Sequence, residues 1–279
     1  MGVKHYDVIV IGGGPGGYTA ALYCARSGRS VAVLEKLSAG GQMATTDRID
    51  NYPGFEEGID GFELGERMER QAWRFGVSTV YGEVRSVELA GRPKRIESTE
   101  GSFEAEAVIL ATGAFPRELG LPDEQALRGR GVAYCAACDG MLYRGKKVAV
   151  IGLSADAPEE AEFLRSIGCE VEYFDAARAK KYEIKGGERV EKLVADGKEF
   201  DVSCVFILRA GVAPGSLVPG LELDGPHIKV NADMSTSVPG VFAAGDCVGS
   251  PYQVAKAAGE GNIAGISAAK YVENIHEEE

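Results

Sequence analysis

Short apolar runs alternate with glycine-rich turns along the first part of the chain. Tyr6–Ile11 is a β-branched run that leads into Gly12-Gly13-Gly14-Pro15-Gly16-Gly17, and Tyr18–Arg26 follows with helical character. Val31–Leu34 is a second apolar run, and Glu35 stands at its end. The order of strand, glycine turn, helix, strand and acid predicts the first unit of a doubly wound α/β domain.

A second unit with the same pattern begins at Lys147. It predicts a strand over 148–151, a turn at Gly152, a helix over about 158–167 and a strand over 171–174. Near the other end of the chain, a buried strand over 240–244 is predicted to lead into a Gly245-Asp246 turn. A helix over about 254–271 should follow, with residues 277–279 as a solvated fray. The fold class is therefore α/β with two Rossmann-like (doubly wound) nucleotide-binding domains.

The first glycine turn predicts a dinucleotide site. In Gly12-x-Gly14-x-x-Gly17 the first glycine permits the tight turn, the second lets a pyrophosphate approach the backbone, and the third lets helix and strand pack closely. The phosphates would lie at the helix N-terminus, where free N–H groups favour negative charge. Glu35 is placed to accept hydrogen bonds from a ribose.

The second glycine turn departs from this fingerprint. Ser154 stands where the second glycine should be, and its Cβ would crowd a pyrophosphate. Three carboxylates would lie where a dinucleotide places its phosphates, those of Asp156, Glu159 and Glu160. Asp156 is also a candidate helix cap. At the end of the next strand, Asp175 would repel an NADPH 2′-phosphate. Two interpretations stay open: Asp175 holds an NADH ribose, or the domain keeps its fold without binding a nicotinamide nucleotide, which we favour.

Composition and charge narrow the function. The net charge of −12 argues against nucleic-acid binding, and no apolar stretch approaches the roughly 20 residues of a membrane span. Without a signal-peptide pattern, we expect a cytoplasmic protein that does not associate with membranes.

Cys135 and Cys138 form a C-x-x-C motif, whereas the other four cysteines stand alone. In a reducing cytosol this spacing is typical of a catalytic dithiol that closes reversibly into a disulfide. Asp139 follows directly and is a candidate acid/base group. A zinc site is the competing interpretation, but the isolated histidines supply no further ligands at metal spacing, so we expect no metal.

Several motifs together carry a family resemblance. They are the Gly12–Gly17 turn, Gly41-Gln42, Asn51-Tyr52-Pro53-Gly54, Ala111-Thr112-Gly113, Cys135-x-x-Cys138-Asp139-Gly140 and Gly245-Asp246. In this order, and over nearly the whole length, the chain resembles the low-molecular-weight thioredoxin reductases.

The resemblance implies a discontinuous FAD-binding domain, 1–115 and 227–279, with a degenerate pyridine-nucleotide-type domain, 116–226, inserted in it and carrying the motif. It also implies a homodimer and thioredoxin as substrate. Cys138 would face the flavin, Cys135 would attack the thioredoxin disulfide, and Asp139 would move the proton. The FAD-binding residues are then expected to be Gly12, Gly14, Pro15, Gly17, Glu35, Lys36, Gly41, Gln42, Asn51, Ala111, Thr112, Gly113, Gly245, Asp246, Gln253 and Val254.

The departures from the family lie mostly in the inserted domain. Its glycine turn is broken at Ser154, and the His-Arg-Arg that grips NADPH in the family falls on Asp175-Ala176-Ala177. The chain is therefore similar to the ferredoxin-dependent flavin thioredoxin reductases, and we expect ferredoxin as donor. The alternatives are an NAD(P)H-dependent thioredoxin reductase, a dithiol oxidase that passes electrons to O2, and a flavin-binding module without catalysis, against which the intact C-x-x-C argues.

Overall fold

The computed structural model describes the chain except residues 1, 115–118, 155–156, 176, 210–217, 219 and 279 and the side chains of residues 137, 138 and 278. The chain divides into two compact units: unit 1 is Met1–Ala114 with Ala213–Glu279, and unit 2 is Phe115–Val212.

The helices are α1 (Pro15–Arg26), α2 (Gly61–Trp73), α3 (Ala136–Asp139), α4 (Ala157–Ser166) and α5 (Val254–Glu278), with 3₁₀ turns at Gly41–Thr45, Gly140–Tyr143 and Asp246–Val248. The strands are β1 (Lys4–Ile11), β2 (Val31–Glu35), β3 (Ser78–Tyr81), β4 (Val84–Glu88), β5 (Lys94–Ser98), β6 (Gly101–Leu110), β7 (Val132–Ala133), β8 (Lys147–Gly152), β9 (Glu170–Phe174), β10 (Tyr182–Gly186), β11 (Val190–Ala195), β12 (Lys198–Asp201), β13 (Cys204–Leu208), β14 (Leu223–Asp224), β15 (His227–Ile228) and β16 (Val241–Ala243).

In the main sheet of unit 1, the strands β3, β2, β1, β6 and β16 are parallel. Its strand order is β3-β2-β1-β6-β5-β4, and β16 pairs in parallel with the second half of β6. The register aligns Ile11 with Leu34 and with Leu110, and Leu110 with Ala243. The carboxyl ends of β1, β2, β6 and β16 therefore meet at one edge of the sheet.

Helix α5 packs on α1 to cover one face of this sheet. A Cβ at Gly265 would lie 2.5 Å from the carbonyl oxygen of Ala20, and one at Gly261 would overlap the backbone of Gly16. These glycines let the two helices approach closely. The predicted end of α5 near Tyr271 is wrong, because the helix runs on to Glu278 and includes most of the expected fray. Its additional turns bury Val272 and Ile275.

Unit 2 repeats the doubly wound pattern on a smaller scale. It holds a parallel sheet in the order β7-β13-β8-β9 and an antiparallel sheet in the order β10-β11-β12. The described α4 lies one residue towards the N-terminus from its predicted bounds. Both α/β units have the predicted fold class.

The segment between the units is divided differently from the sequence-based boundary. Residues 218 and 220–226, which the sequence analysis placed in the inserted domain, group with unit 1. Leu223 pairs with Ile228 in the β14–β15 hairpin, and Val218 is buried in the same apolar cluster as Val108 and Ile228. Val108 is distant from Val218 in sequence, and the local pattern does not show that the two share a cluster.

Candidate functional site

The glycine turn of unit 1 lies at the sheet edge where the parallel strands end. Gly12 has φ +110°, and a Cβ there would overlap the carbonyl group of Ala111. A Cβ at Gly17 would overlap the carbonyl oxygen of Gly12, so this glycine lets α1 pack on the turn. Gly14, by contrast, has only the Gly40 oxygen within 4 Å of an added Cβ, at 3.8 Å. The space in front of the second glycine is therefore open.

The N-terminus of α1 offers hydrogen-bond donors at this open space. Pro15 occupies the first turn and no side chain caps Gly14. The first N–H groups of a helix have no carbonyl partner within it, and with the helix dipole they favour an anion. Open space and free donors together fit a dinucleotide pyrophosphate.

Glu35 has a second role beside the predicted one. Its carboxylate is buried and accepts hydrogen bonds from the backbone N–H of Gly13 at 2.6 Å and of Leu37 at 2.9 Å. The acid therefore fixes the glycine turn itself, and each oxygen keeps a lone pair for a ribose hydroxyl. The neighbouring Lys36 is exposed and pairs with Glu83 at 2.6 Å.

Two further predicted flavin residues contact each other across a long sequence separation. The side-chain N–H of Asn51 donates to the Oε1 of Gln253 at 2.8 Å. Gln253 lies next to Val254, the first residue of α5. The structure thus brings together the two side chains that the resemblance assigns to the flavin.

The segment Ala111-Thr112-Gly113 follows β6 on the same edge. The side-chain amide of Gln42 donates to the carbonyl oxygen of Ala114. Gly41 begins the 3₁₀ turn and has φ +57°. These contacts join the Gly41-Gln42 turn to the end of β6, as expected for residues that surround one ligand.

Asp246 lies directly after Gly245, at the end of β16. Burial raises the pKa of Asp246 to about 6, while Lys256 lowers it and Glu260 raises it further. Lys256 donates to the carbonyl oxygens of Gly245 at 2.9 Å and Gly249 at 2.5 Å and pairs with Glu260 at 3.1 Å. Glu260 in turn accepts the N–H of Gly245 at 2.9 Å. We call Lys256 and Glu260 the α5 clasp, because the pair holds the turn that carries Asp246.

The sulfur of Cys247 lies beneath this turn. Cys247 is fully buried and donates to the carbonyl oxygens of Leu110 and Ala244 at 3.4 and 3.3 Å. Burial raises its pKa to about 11, so the thiol is neutral and packs in the core. In unit 1 the open glycine bed, the fixed Glu35 and the edge residues fit FAD.

The C-x-x-C motif lies in unit 2, on and before the short helix α3. Cys135 is in a disulfide, and Cys24, Cys169, Cys204 and Cys247 are free; the side chain of Cys138 lies outside the described residues. Asp139 ends α3, and its backbone N–H donates to the carbonyl oxygen of Cys135 at 3.2 Å. Burial alone raises the pKa of Asp139 to about 6, which suits a group that exchanges a proton near neutral pH.

Two carboxylates hold the backbone around Cys135. Glu124 is buried and accepts from the Tyr134 hydroxyl at 3.0 Å, as well as from the N–H groups of Leu119 and Leu121. Glu160 of α4 accepts the backbone N–H of Ala136 at 3.0 Å. The residues on both sides of Cys135 are thus anchored to acidic side chains.

The glycine turn of unit 2 is closed. A Cβ at Gly152 would lie 2.6 and 2.7 Å from the Cζ and Cε2 atoms of Tyr173, so the tyrosine ring fills the space that this glycine leaves. The N–H groups of Leu153 and Ser154 both donate to the carbonyl oxygen of Leu208, at 2.7 and 3.1 Å. These amides are therefore already bonded within the protein. The predicted cap Asp156 lies outside the described residues.

The charged side chains that follow β9 are also bonded within the protein. The carboxylate of Asp175 accepts the N–H groups of Ala177 and Arg178 at 3.0 and 2.9 Å. The guanidinium of Arg178 donates to Glu172 at 2.7 Å and to the carbonyl oxygen of Tyr173, and lies 4.4 Å from the centre of the Phe174 ring. The acid closes a local turn, and the Arg178 guanidinium is engaged by residues of β9.

Sequence reasoning missed Tyr173, the α5 clasp, and the contacts of Glu124 and Glu160. In the sequence Tyr173 is an ordinary residue of a predicted strand. Only the structure shows that its ring packs against Gly152. The spacing of Lys256 and Glu260 is that of a helical ion pair, a signal that was available, but their bonds to the Gly245 turn were not. Among the described residues, no helix is long and apolar enough to span a membrane, and no group of three or more His, Cys, Asp or Glu side chains is placed to hold a metal.

Comparisons with known proteins agree with this geometry. The model of the family described as pyridine nucleotide-disulphide oxidoreductase matches residues 6–181 and 176–261. The thioredoxin reductase of Mycolicibacterium smegmatis is 38% identical over 300 residues, with 96% of each chain covered.

Two solved structures are similar over nearly the whole chain. The thioredoxin reductase of Streptococcus pyogenes has a TM-score of 0.87 at 34% identity, covering 98% of this chain and 100% of the other. The ferredoxin-flavin thioredoxin reductase of Clostridium acetobutylicum has a TM-score of 0.61 at 33% identity, covering 99% and 100%. Thioredoxin reductases of this kind are FAD-binding flavoproteins, which agrees with the open glycine bed of unit 1. The chain belongs to the pyridine nucleotide-disulphide oxidoreductase family.

Proposed function

We propose that the chain reduces the disulfide of a thioredoxin through the Cys135–Cys138 dithiol and FAD, and that its electrons come from reduced ferredoxin rather than from NADPH. The thioredoxin part is supported by relatives that carry the name thioredoxin reductase over 96–98% of this chain. The intact motif with buried Asp139 beside it provides the chemistry.

The observation that carries the donor proposal is the second position of this glycine turn. In a dinucleotide site the second glycine lets a pyrophosphate approach the backbone. Here Ser154 takes that position, and the amides of Leu153 and Ser154 are bonded to the carbonyl oxygen of Leu208. A hydride donor that needs these amides would have to break two hydrogen bonds and pass the Ser154 side chain.

Charge at the end of β9 supports the same proposal. The 2′-phosphate of NADPH needs an available cation, and the guanidinium of Arg178 is bonded to Glu172 and to the backbone. Asp175 adds a negative charge at the same strand end. A one-electron protein donor requires neither a pyrophosphate bed nor a phosphate clamp.

Exposed cations that cluster in the sequence of unit 2 are candidates for docking an acidic protein. Arg130, Arg144 and Lys146 are exposed, and Lys147 pairs with Glu170 at 3.3 Å; Lys180 and Lys181 form a second exposed group. If an acidic ferredoxin docks here, turnover should fall as ionic strength rises, because salt screens exposed charges.

The chain's own residues perform the thiol exchange. The Cys135 thiolate attacks the thioredoxin disulfide, forms a mixed disulfide with one thioredoxin sulfur and releases the other as a thiolate that takes up a proton. Cys138 then attacks the Cys135 sulfur, which releases reduced thioredoxin and closes the Cys135–Cys138 disulfide. Asp139, with its pKa near 6, accepts the Cys138 proton. When bound and reduced by the donor, FAD would supply the electron pair that reopens the disulfide. A homodimer stays a prediction from the resemblance.

The test is anaerobic. The oxidised FAD protein is mixed in turn with NADPH, NADH and reduced ferredoxin, flavin bleaching is followed at its visible band, and thioredoxin reduction is then measured with each donor. Of the three donors, we expect only reduced ferredoxin to give rapid flavin bleaching and thioredoxin reduction. Robust NADPH-driven turnover with none from ferredoxin contradicts the donor proposal, and NADH-driven turnover would assign Asp175 to a ribose. In a separate aerobic assay, oxidation of a small dithiol with O2 consumption, without thioredoxin reduction, would favour the dithiol oxidase.

A further inference from the structure

The first backbone N–H after Cys135 is bonded to a carboxylate. Ala136 is fully buried, and its N–H donates to the Oε2 of Glu160 at 3.0 Å while Cys135 is in its disulfide. Glu160 lies in the first turn of α4, which packs against α3. The contact therefore places a carboxylate oxygen at the start of the helix that carries the motif.

A carboxylate at this position acts against the usual activation of a C-x-x-C thiol. The N-terminal cysteine of such a motif is normally acidified by the free N–H groups and positive dipole end of the helix that follows it. Stabilising the thiolate stabilises the reduced pair and makes the disulfide a stronger oxidant. An anion that takes the first N–H has the opposite effect, since it repels the thiolate and occupies one of its donors.

We propose that Glu160 is a positioning residue that makes the Cys135–Cys138 dithiol a stronger reductant. The inference deepens the proposed function and rests on it, because a pair that reduces thioredoxin benefits from a low reduction potential. Glu160 acts through the N–H of Ala136.

Other charged groups surround the motif and must be separated from Glu160 in any test. They are Asp139 in α3, Glu124 and Arg128 around Tyr134, and Glu159, Glu162 and Arg165 in α4. Arg165 is bonded to Glu162 at 3.0 Å, and Glu159 is exposed. Glu159 is therefore the matched control, since it carries the same charge in the same helical turn.

The experiment measures the dithiol directly in the full-length protein with FAD bound. Wild type, Glu160→Gln and Glu159→Gln are equilibrated anaerobically in mixtures of reduced and oxidised dithiothreitol, quenched with acid and alkylated. Mass spectrometry then gives the reduced fraction. In this exchange the protein disulfide gains two electrons and two protons and becomes the dithiol, while dithiothreitol loses them and closes into its ring disulfide. Glutamine can still accept the Ala136 N–H, so the first variant removes the charge and retains the contact.

We expect Glu160→Gln to shift the equilibrium constant towards the protein dithiol by about three- to tenfold, the upper value corresponding to about 30 mV. Glu159→Gln should shift it by less than about twofold, as an exposed charge is screened. In a Cys138→Ser background, the pH midpoint for iodoacetamide alkylation of Cys135 should move to lower pH with Glu160→Gln and stay in place with Glu159→Gln.

Equal behaviour of the two glutamine variants, or a shift towards the disulfide, would overturn the inference. If Glu160→Gln does not fold, Glu160→Asp makes the same test, because the shorter side chain withdraws its charge from the N–H. Neither readout uses thioredoxin or ferredoxin. Failure of the enzyme to reduce thioredoxin would therefore contradict the proposed function and leave this measurement to decide the role of Glu160.

Discussion

Gly14 in unit 1 and Ser154 in unit 2 stand at equivalent places in two copies of one strand–turn–helix pattern. Around Gly14 the space is open, and Glu35 fixes the preceding glycine by its buried carboxylate. Around Ser154 the amides are bonded to Leu208, and Tyr173 fills the space at Gly152. A Rossmann-like unit can thus retain its sheet and helix while the amides of its turn are bonded within the protein.

The largest expected effect comes from removing either cysteine of the dithiol in unit 2. Cys135→Ser and Cys138→Ser should each abolish thioredoxin reduction, because neither single thiol can complete the exchange. Both variants should still retain FAD, because the predicted FAD site lies in unit 1. Steady-state turnover measures the loss of thioredoxin reduction, and the ratio of flavin to protein absorbance measures the retained FAD. Full activity in both variants would show that this pair is not the redox centre.

Asp139→Asn should slow turnover by roughly 10²–10⁴-fold, the usual contribution of one acid/base group. The same variant should be more stable than wild type above pH 6. Burial raises the pKa of Asp139 from 3.8 to about 6. Between these two pH values the native state binds more protons than the unfolded state, so wild-type stability falls as the pH rises from 3.8 to about 6.

The asparagine variant lacks that penalty and should gain about 3 kcal/mol at pH 7. Denaturant unfolding at pH 4 and pH 7 measures the difference. An identical pH dependence of stability in the two proteins would contradict the buried, proton-exchanging carboxyl.

Gly14→Val tests whether the open space in unit 1 belongs to the cofactor. No protein atom lies within 3.8 Å of an added Cβ, so the apoprotein should fold, but the side chain would take the place of the pyrophosphate. We expect FAD affinity to fall at least about 100-fold, or about 2.7 kcal/mol. Ser154→Val is the control in unit 2 and should leave FAD content unchanged. Fluorescence titration of both apoproteins with FAD decides between them.

Gly152→Ala tests the closed turn and has the smallest expected effect. The added methyl group would overlap the Tyr173 ring, and the repacking should destabilise unit 2 by about 1–3 kcal/mol without loss of FAD. Tyr173→Leu in the same chain should recover most of that stability. Calorimetric unfolding of the single and double variants checks the coupling. A neutral Gly152→Ala would mean that the ring does not fill this space.

The sequence predicted the glycine turn of unit 1 well, because the turn depends on backbone geometry that only glycine allows at Gly12 and Gly17. It also predicted that Asn51 and Gln253 belong to one site, through the family resemblance. It could not predict that Tyr173 closes the second turn, since that requires knowing which strand faces Gly152. The partners of Glu160 and Lys256 are 24 and 11 residues away along the chain, and no local spacing encodes those contacts.

The α5 clasp has a consequence for the order of events during synthesis. The ribosome makes the glycine turn and Glu35 first, then all of unit 2, and only afterwards Gly245, Asp246, Lys256 and Glu260. Until α5 emerges, the face of α1 that it covers is exposed, and the turn that carries Asp246 has neither its cation nor its carboxylate. If the Asp246 turn holds FAD as the family resemblance predicts, tight capture of the cofactor is a late step that follows translation of unit 2.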